Sequence, residues 1–128
     1  MEYCPCGDIG DILKKERRFG EEVARIYISE IILALEYLHS KGIIYRDLKP
    51  DNIILDEQGH VKLTDFGLSK EIEEGDEKLT YTFCGTPQYL APEIISKTGY
   101  NCMIDWWSLG ILMYEIVVGF PPFNHKSN

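Results

Sequence analysis

Tyr45-Arg46-Asp47-Leu48-Lys49-Pro50-Asp51-Asn52 places carboxylates, two cations and an amide within eight residues. Asp47 can take a proton from an attacking hydroxyl, Lys49 can neutralise charge on a transferring phosphoryl group, and the Asn52 carbonyl can ligate a hard cation. Such chemistry requires aimed side chains. Ile43-Ile44 before the stretch and Ile53-Ile54-Leu55 after it are short β-branched runs, which predict a loop pinned at both ends by buried strands. Asp47 or Lys49 alone would equally suit a polar turn, so the combination carries the reading.

A second acidic position follows. Asp56-Glu57-Gln58-Gly59-His60 separates Ile53-Ile54-Leu55 from Val61-Lys62-Leu63, the pattern of a hairpin with Gly59 at its turn. That hairpin returns Asp65, of Asp65-Phe66-Gly67, toward Asn52. Both can then reach one Mg²⁺, which usually takes one or two protein ligands and completes its octahedron with phosphate oxygens and water.

In order and spacing, four motifs resemble those of eukaryotic protein kinases. The octapeptide resembles the catalytic loop H-R-D-L-x-x-x-N with Tyr45 in the His position, and Asp65-Phe66-Gly67 resembles D-F-G. Thr82 to Glu93, closing in Ala91-Pro92-Glu93, resembles the activation and substrate-docking segment of the AGC serine/threonine kinases. Asp105-Trp106-Trp107-Ser108-Leu109-Gly110 resembles the family's D-x-W-x-x-G.

The resemblance covers the chain from end to end and implies a partial kinase domain over residues 1–128. The expected fold is mainly α with a small β-hairpin region, the large C-terminal lobe without the small lobe or the last helices. It implies phosphoryl transfer from Mg-ATP to Ser or Thr of a protein substrate, with Asp47 and Lys49 catalytic and Asn52 and Asp65 holding Mg²⁺. Met1 to Cys4, including Glu2, would be the hinge that binds adenine, and Asp8 would meet the ribose. Thr86 would bond Asp47 and Lys49, a feature of Ser/Thr kinases. Thr82 would be a phosphosite for an upstream kinase, with Arg46 and Lys70 as its cations. Leu90 would line the pocket for the residue after the acceptor, and Asp51 with Glu115 would receive basic residues before it. Asp105 would bond the backbone around Tyr45-Arg46. Glu93 normally pairs with a downstream arginine, but every arginine here precedes it. Gln88 and Asp51 also depart from the glutamates common in close relatives.

These groups need a scaffold. Asp8 opens a helical stretch to about Arg17, and Glu21 to Ser40 reads as one long helix capped by Gly42, apolar nearly all round and therefore expected to be mostly buried. His39 reads as a last-turn helix residue and not a base. The acid-rich run Glu71, Glu73, Glu74, Asp76 and Glu77 predicts a solvated loop over Ser69 to Phe83. Pro92 to Lys97 suits a short helix, and Ile104 to Val118 a central, buried one in which the Asp105 carboxylate needs donors.

Composition agrees with one core: 128 residues, 45% hydrophobic. Thirteen basic against 21 acidic residues, net charge −8, disfavour nucleic acid or an anionic membrane as partner. Charges interrupt the apolar runs, so no membrane span is expected, and a cytoplasmic location, with the nucleus as an alternative, follows. Four cysteines without paired C-x-x-C spacing suggest reduced thiols. Two other readings remain: a non-catalytic module that binds substrates or partners, and a small-molecule kinase, which should lack the Gly85 to Glu93 segment. With no glycine-rich loop or strand lysine of the small lobe, the isolated chain is expected to be nearly inactive.

Overall fold

The computed structural model describes residues 7–73 and 79–123. The hinge assignment to Glu2 and Cys4 and the acidic positions 74–78 lie outside the described residues. Helix α1 (Ile9–Glu16) begins where the Asp8 carboxylate accepts from the Asp11 amide at 2.7 Å, a side-chain N-cap. Helix α2 (Glu21–Ser40) carries Glu21 and Glu22 in its first turn, favourable to the dipole. The chain reverses after it through Gly42 at φ 71°. A Cβ there would stand 2.5 Å from the Ile72 carbonyl oxygen, so the close approach demands glycine.

Two small antiparallel sheets follow. Strands β2 (Ile53–Leu55) and β3 (Val61–Leu63) form the expected hairpin, in register Ile53 to Leu63. Strand β1 (Ile43–Ile44) pairs with β4 (Lys70–Glu71). This second pairing corrects the expectation of a loop throughout Ser69 to Phe83: residues 70 and 71 form a strand and Thr80 a bridge, while the other described residues of the stretch are loop. Backbone groups of 70 and 71 find partners on β1, the Ile72 amide donates to the Gly42 carbonyl at 2.7 Å, and buried Thr80 bridges Tyr100 in both directions at 2.9 Å. Side-chain charge does not prevent backbone pairing, because the charges can stay in water.

Helix α3 (Pro92–Ile95) is a single turn started by proline, and α4 (Met103–Val118) ends at Gly119 in the left-handed conformation. The main core joins α1, α2, the hairpin and α4 through Ile9, Ile31, Leu35, Ile53, Leu112 and Ile116. A smaller one gathers Ile44, Ala91, Ile94, Tyr100 and Ile104.

Neither long helix is buried all round. On α2, Ile26, Leu33 and Tyr37 are exposed while Ala24, Ile28, Ile31 and Leu35 face the core. On α4, Trp107, Met113, Tyr114 and Val117 are exposed. The reason is geometric: among the described residues α2 is packed by α4, β1 and β3, which cover one side only. No described helix is long and apolar enough to cross a membrane.

Candidate active site

Asp105 holds the catalytic loop. Its side chain is 1% exposed, yet Oδ2 accepts from the Tyr45 amide and Oδ1 from the Arg46 amide, each at 2.9 Å, and His39 Nε2 lies 2.8 Å from Oδ2. The donors supply what a desolvated carboxylate requires. The same bonds fix Arg46 at φ 68°, a left-handed conformation that costs a non-glycine residue about 1–3 kcal/mol.

The fully buried Tyr45 anchors the loop from the other side. Its hydroxyl donates to the Thr64 carbonyl, and its ring meets Phe66 edge-on at 5.4 Å. Burial first, then the nearby acidic groups, push that hydroxyl far above its ordinary pKa, so it remains a donor. Tyr45 thereby ties the loop bearing Asp47 to the segment bearing Asp65.

Asp47, 7% exposed, sits at the centre. Thr86 Oγ1 donates to its Oδ1 at 3.0 Å, Asn52 Nδ2 donates to its Oδ2 and to its carbonyl at 2.9 Å, and Lys49 Nζ stands 3.5 Å from Oδ2. Lys49 Nζ also donates to Thr86 Oγ1 at 3.2 Å. Thr86 thus links the Gly85 to Glu93 segment to both charged groups. A carboxylate has about four lone-pair sites, so Asp47 retains capacity for an incoming hydroxyl.

At the open end of the hairpin Asn52 is joined to Thr64, the neighbour of Asp65. The Thr64 amide and hydroxyl both donate to the Asn52 carbonyl, at 2.9 and 3.1 Å. Both hydrogens of Asn52 Nδ2 are committed to Asp47, so an oxygen ligand to a cation would have to be Oδ1. Asp65 is exposed at φ 55°, and its Oδ1 accepts from the Gly67 amide at 3.2 Å. One amide oxygen and one carboxylate fit Mg²⁺ completed by phosphate oxygens and water.

Asp8 caps α1 through Oδ1. Asp51 and half-buried Glu115 line one groove of about 280 Å³ with Lys14, Lys49, Thr86 and Tyr89. Glu115 Oε2 and Tyr89 Oη are buried there without a hydrogen-bond partner among the described residues. Desolvation, then the Asp51 charge, raise the Glu115 pKa above its ordinary value. Lys14 Nζ lies 3.1 Å from Asp11 and 4.0 Å from Asp51. Leu90 lines a second, apolar groove with Pro87, Ile95, Trp107 and Phe123.

Thr82 is exposed, and its carbonyl accepts from Tyr100 Oη at 2.7 Å. Arg46 reaches it only through that tyrosine, while Lys70 stands in β4 opposite Ile44 and its side chain makes no hydrogen bond or ion pair among the described residues. Glu93 likewise forms no ion pair among the described residues. His39, Tyr89 and Tyr100 were not assigned site roles from sequence. Their helical or loop spacing carries no chemical signature, and only the folded contacts reveal them.

The geometry described is that of a protein kinase large lobe, and the whole chain, residues 1–128, matches the model of the protein kinase domain. The chain belongs to that family. It is 57% identical over 127 residues to "Ribosomal protein S6 kinase beta" of Caenorhabditis elegans, covering 99% of this chain and 23% of that protein. It is 53% identical to "cAMP-dependent protein kinase, catalytic subunit-like" of the same organism, covering 99% and 31%. The human "cAMP-dependent protein kinase catalytic subunit PRKX" is 53% identical over 123 residues, covering 96% and 33%. These are AGC-type kinases, and the chain spans about a quarter to a third of their length.

Proposed function

We propose that this chain is the catalytic-loop and substrate-docking part of a serine/threonine kinase that transfers the γ-phosphoryl of Mg-ATP to a protein hydroxyl. The observation that carries this is the Asp47 carboxylate, gripped by Thr86 and Asn52 with Lys49 beside it. Asp47 orients the acceptor hydroxyl and takes its proton, and Lys49 offsets charge on the moving phosphoryl group. Asn52 Oδ1 and the Asp65 carboxylate would hold Mg²⁺, which when bound would supply charge neutralisation for the phosphate groups. Thr86 keeps acceptor and base on one frame.

The substrate is a Ser/Thr peptide with basic residues ahead of the acceptor, drawn by Asp51 and Glu115, and an apolar residue after it, against Leu90. An upstream kinase acts on exposed Thr82, where phosphate can form about one to three charge-assisted hydrogen bonds. Asp8 meets the ribose of the nucleotide, and Glu2 and Cys4 belong to the adenine hinge.

Alone, the 128 residues transfer phosphate poorly. A positioned base supplies about 10²–10⁴ in rate, whereas orienting both reactants supplies roughly 7–11 kcal/mol. The sequence holds no glycine-rich phosphate loop to do the orienting. A second reading, a non-catalytic substrate-binding module, is favoured by the two grooves that the described residues line.

The test compares Mg-ATP phosphorylation of an arginine-bearing serine peptide by this chain and by an extended protein in which a protein kinase small lobe is fused ahead of Met1. The extended protein is expected to be faster by orders of magnitude, and Asp47→Asn to remove transfer in both. An inactive extended protein, or transfer that survives Asp47→Asn, would sink the catalytic reading and leave the binding module.

A further inference from the structure

Tyr100 is 3% exposed and sits in the smaller core, yet its hydroxyl touches three polar groups. It donates to the Thr82 carbonyl at 2.7 Å, accepts from Arg46 Nη1 at 3.1 Å, and lies 3.9 Å from Cys84 Sγ. Its own backbone bridges Thr80 through two 2.9 Å hydrogen bonds. Arg46 is in turn fixed by Asp105 through its amide, and its Nε donates to the Leu68 carbonyl. A continuous set of contacts therefore runs from the catalytic loop, through one buried phenol, to the segment that carries Thr82.

We infer that Tyr100 is a positioning residue: its hydroxyl ties the Thr82 carbonyl and the Cys84 thiol to Arg46 and so holds the docking segment against the catalytic loop while Thr82 carries no phosphate. An aliphatic or phenyl side chain would fill the same core volume, so packing does not call for the oxygen. A phenol can do both jobs at once, because it has one donor hydrogen and acceptor lone pairs. Burial raises the Tyr100 pKa and the Arg46 charge draws it back, and the net upward direction keeps the donor hydrogen in place at neutral pH. The tie is also positioned to be exchanged. A phosphate on Thr82 would compete for the Arg46 guanidinium, since charge-assisted bonds to phosphate outrank a neutral phenol. The inference deepens the proposed function, because it rests on the reading of Thr82 to Glu93 as the substrate-docking segment.

The experiment is alkylation of the intact, unliganded chain, with labelling at each cysteine read by peptide mass spectrometry. Tyr100→Phe removes only the oxygen. Cys84 should then react about three- to tenfold faster, the population change that follows loss of one hydrogen bond, while Cys102 keeps its rate. In an Arg46→Lys background the same change should add little, because the tie is already cut. Equal acceleration at Cys84 and Cys102 would mean that the residue only stabilises the core, and an unchanged Cys84 rate would mean that the hydroxyl holds nothing. Either result overturns the inference. No nucleotide or substrate is present, so an inactive chain leaves this inference standing, and failure here leaves the proposed reaction standing.

Discussion

His39 Nε2 and Asp105 Oδ2 meet at 2.8 Å, which joins the last turn of α2 to the first turn of α4 across 66 residues of sequence. The contact sits behind the catalytic loop, on the carboxylate that organises it. Replacing Asp105 with Ala would leave the Tyr45 and Arg46 amides without their acceptor, and a buried unmet donor costs about 1–3 kcal/mol. Asp105→Ala is therefore expected to destabilise the chain by about 2–5 kcal/mol, as a chain with two such donors requires. His39→Ala should cost about 1 kcal/mol, because Asp105 keeps both amides. Urea unfolding of the two variants measures the difference. Equal losses would mean that the histidine, not the amides, holds the carboxylate.

Thr86 offers a test of chemistry without a change of charge. Its hydroxyl donates to Asp47 and accepts from Lys49, so Thr86→Val keeps the volume and removes both bonds. Hydrogen bonds to charged groups are worth about 1.5–3 kcal/mol, which predicts a kcat lower by about 10- to 100-fold in the extended protein. Thr86→Ser should restore most of it. A Val variant with full turnover would detach Thr86 from the reacting groups.

Glu30, on α2, clamps the turn of the hairpin. Its Oε2 accepts from the Val61 amide at 2.7 Å, and its Oε1 lies 2.8 Å from His60 Nδ1. Partial burial pushes the Glu30 pKa up, but the Val61 amide and His60 outweigh it, and the net direction is below the ordinary 4.5. The hydrogen bond and charge of Glu30 raise His60 above 6.5. The raised histidine stabilises fully below 6.5 and loses its contribution as pH rises through the folded value. The lowered glutamate stabilises fully above 4.5 and loses its contribution as pH falls through its own. The pair is thus strongest between 4.5 and 6.5. Glu30→Gln should flatten the stability profile on both flanks of that window, as followed by thermal unfolding from pH 4 to 8 (roughly the span that both shifted groups titrate across). A variant profile parallel to that of the parent would show the clamp to be inert.

Much of this arrangement was legible because its signals are local. The ends of α2, the Gly59 turn and the strands around the catalytic loop follow from periodicity, caps and β-branched runs. The octapeptide names its own chemistry because its groups are adjacent. The exposed faces of α2 and α4 were not legible, since periodicity reports which residues can be buried and not whether a neighbour covers them. The β1–β4 pairing was hidden for a related reason: a two-residue strand has no period, and its backbone partner is distant in sequence. Tyr100 and His39 are legible only once the chain closes on itself.

Glu115 links the candidate substrate groove to stability with a sign opposite to that of Glu30. Desolvation and the Asp51 charge raise its pKa, so the folded state binds the proton more tightly than the unfolded chain. Stability therefore falls as pH rises from 4.5 through the folded value, and the ionised carboxylate is a liability at neutral pH. A guest cation would relieve it, since Oε2 has no hydrogen-bond partner among the described residues. Glu115→Gln is thus expected to leave stability at pH 7 unchanged or slightly higher and to remove that part of the acid dependence. In the extended protein the same change should raise KM for an arginine-bearing peptide by about tenfold, the loss of roughly one charge-assisted contact, and leave an alanine-substituted peptide unaffected. Equal KM changes for both peptides would show that Glu115 shapes the groove without reading charge. A destabilised variant at pH 7 would mean that the carboxylate has a partner of its own, and the groove would lose its reason to attract a cation.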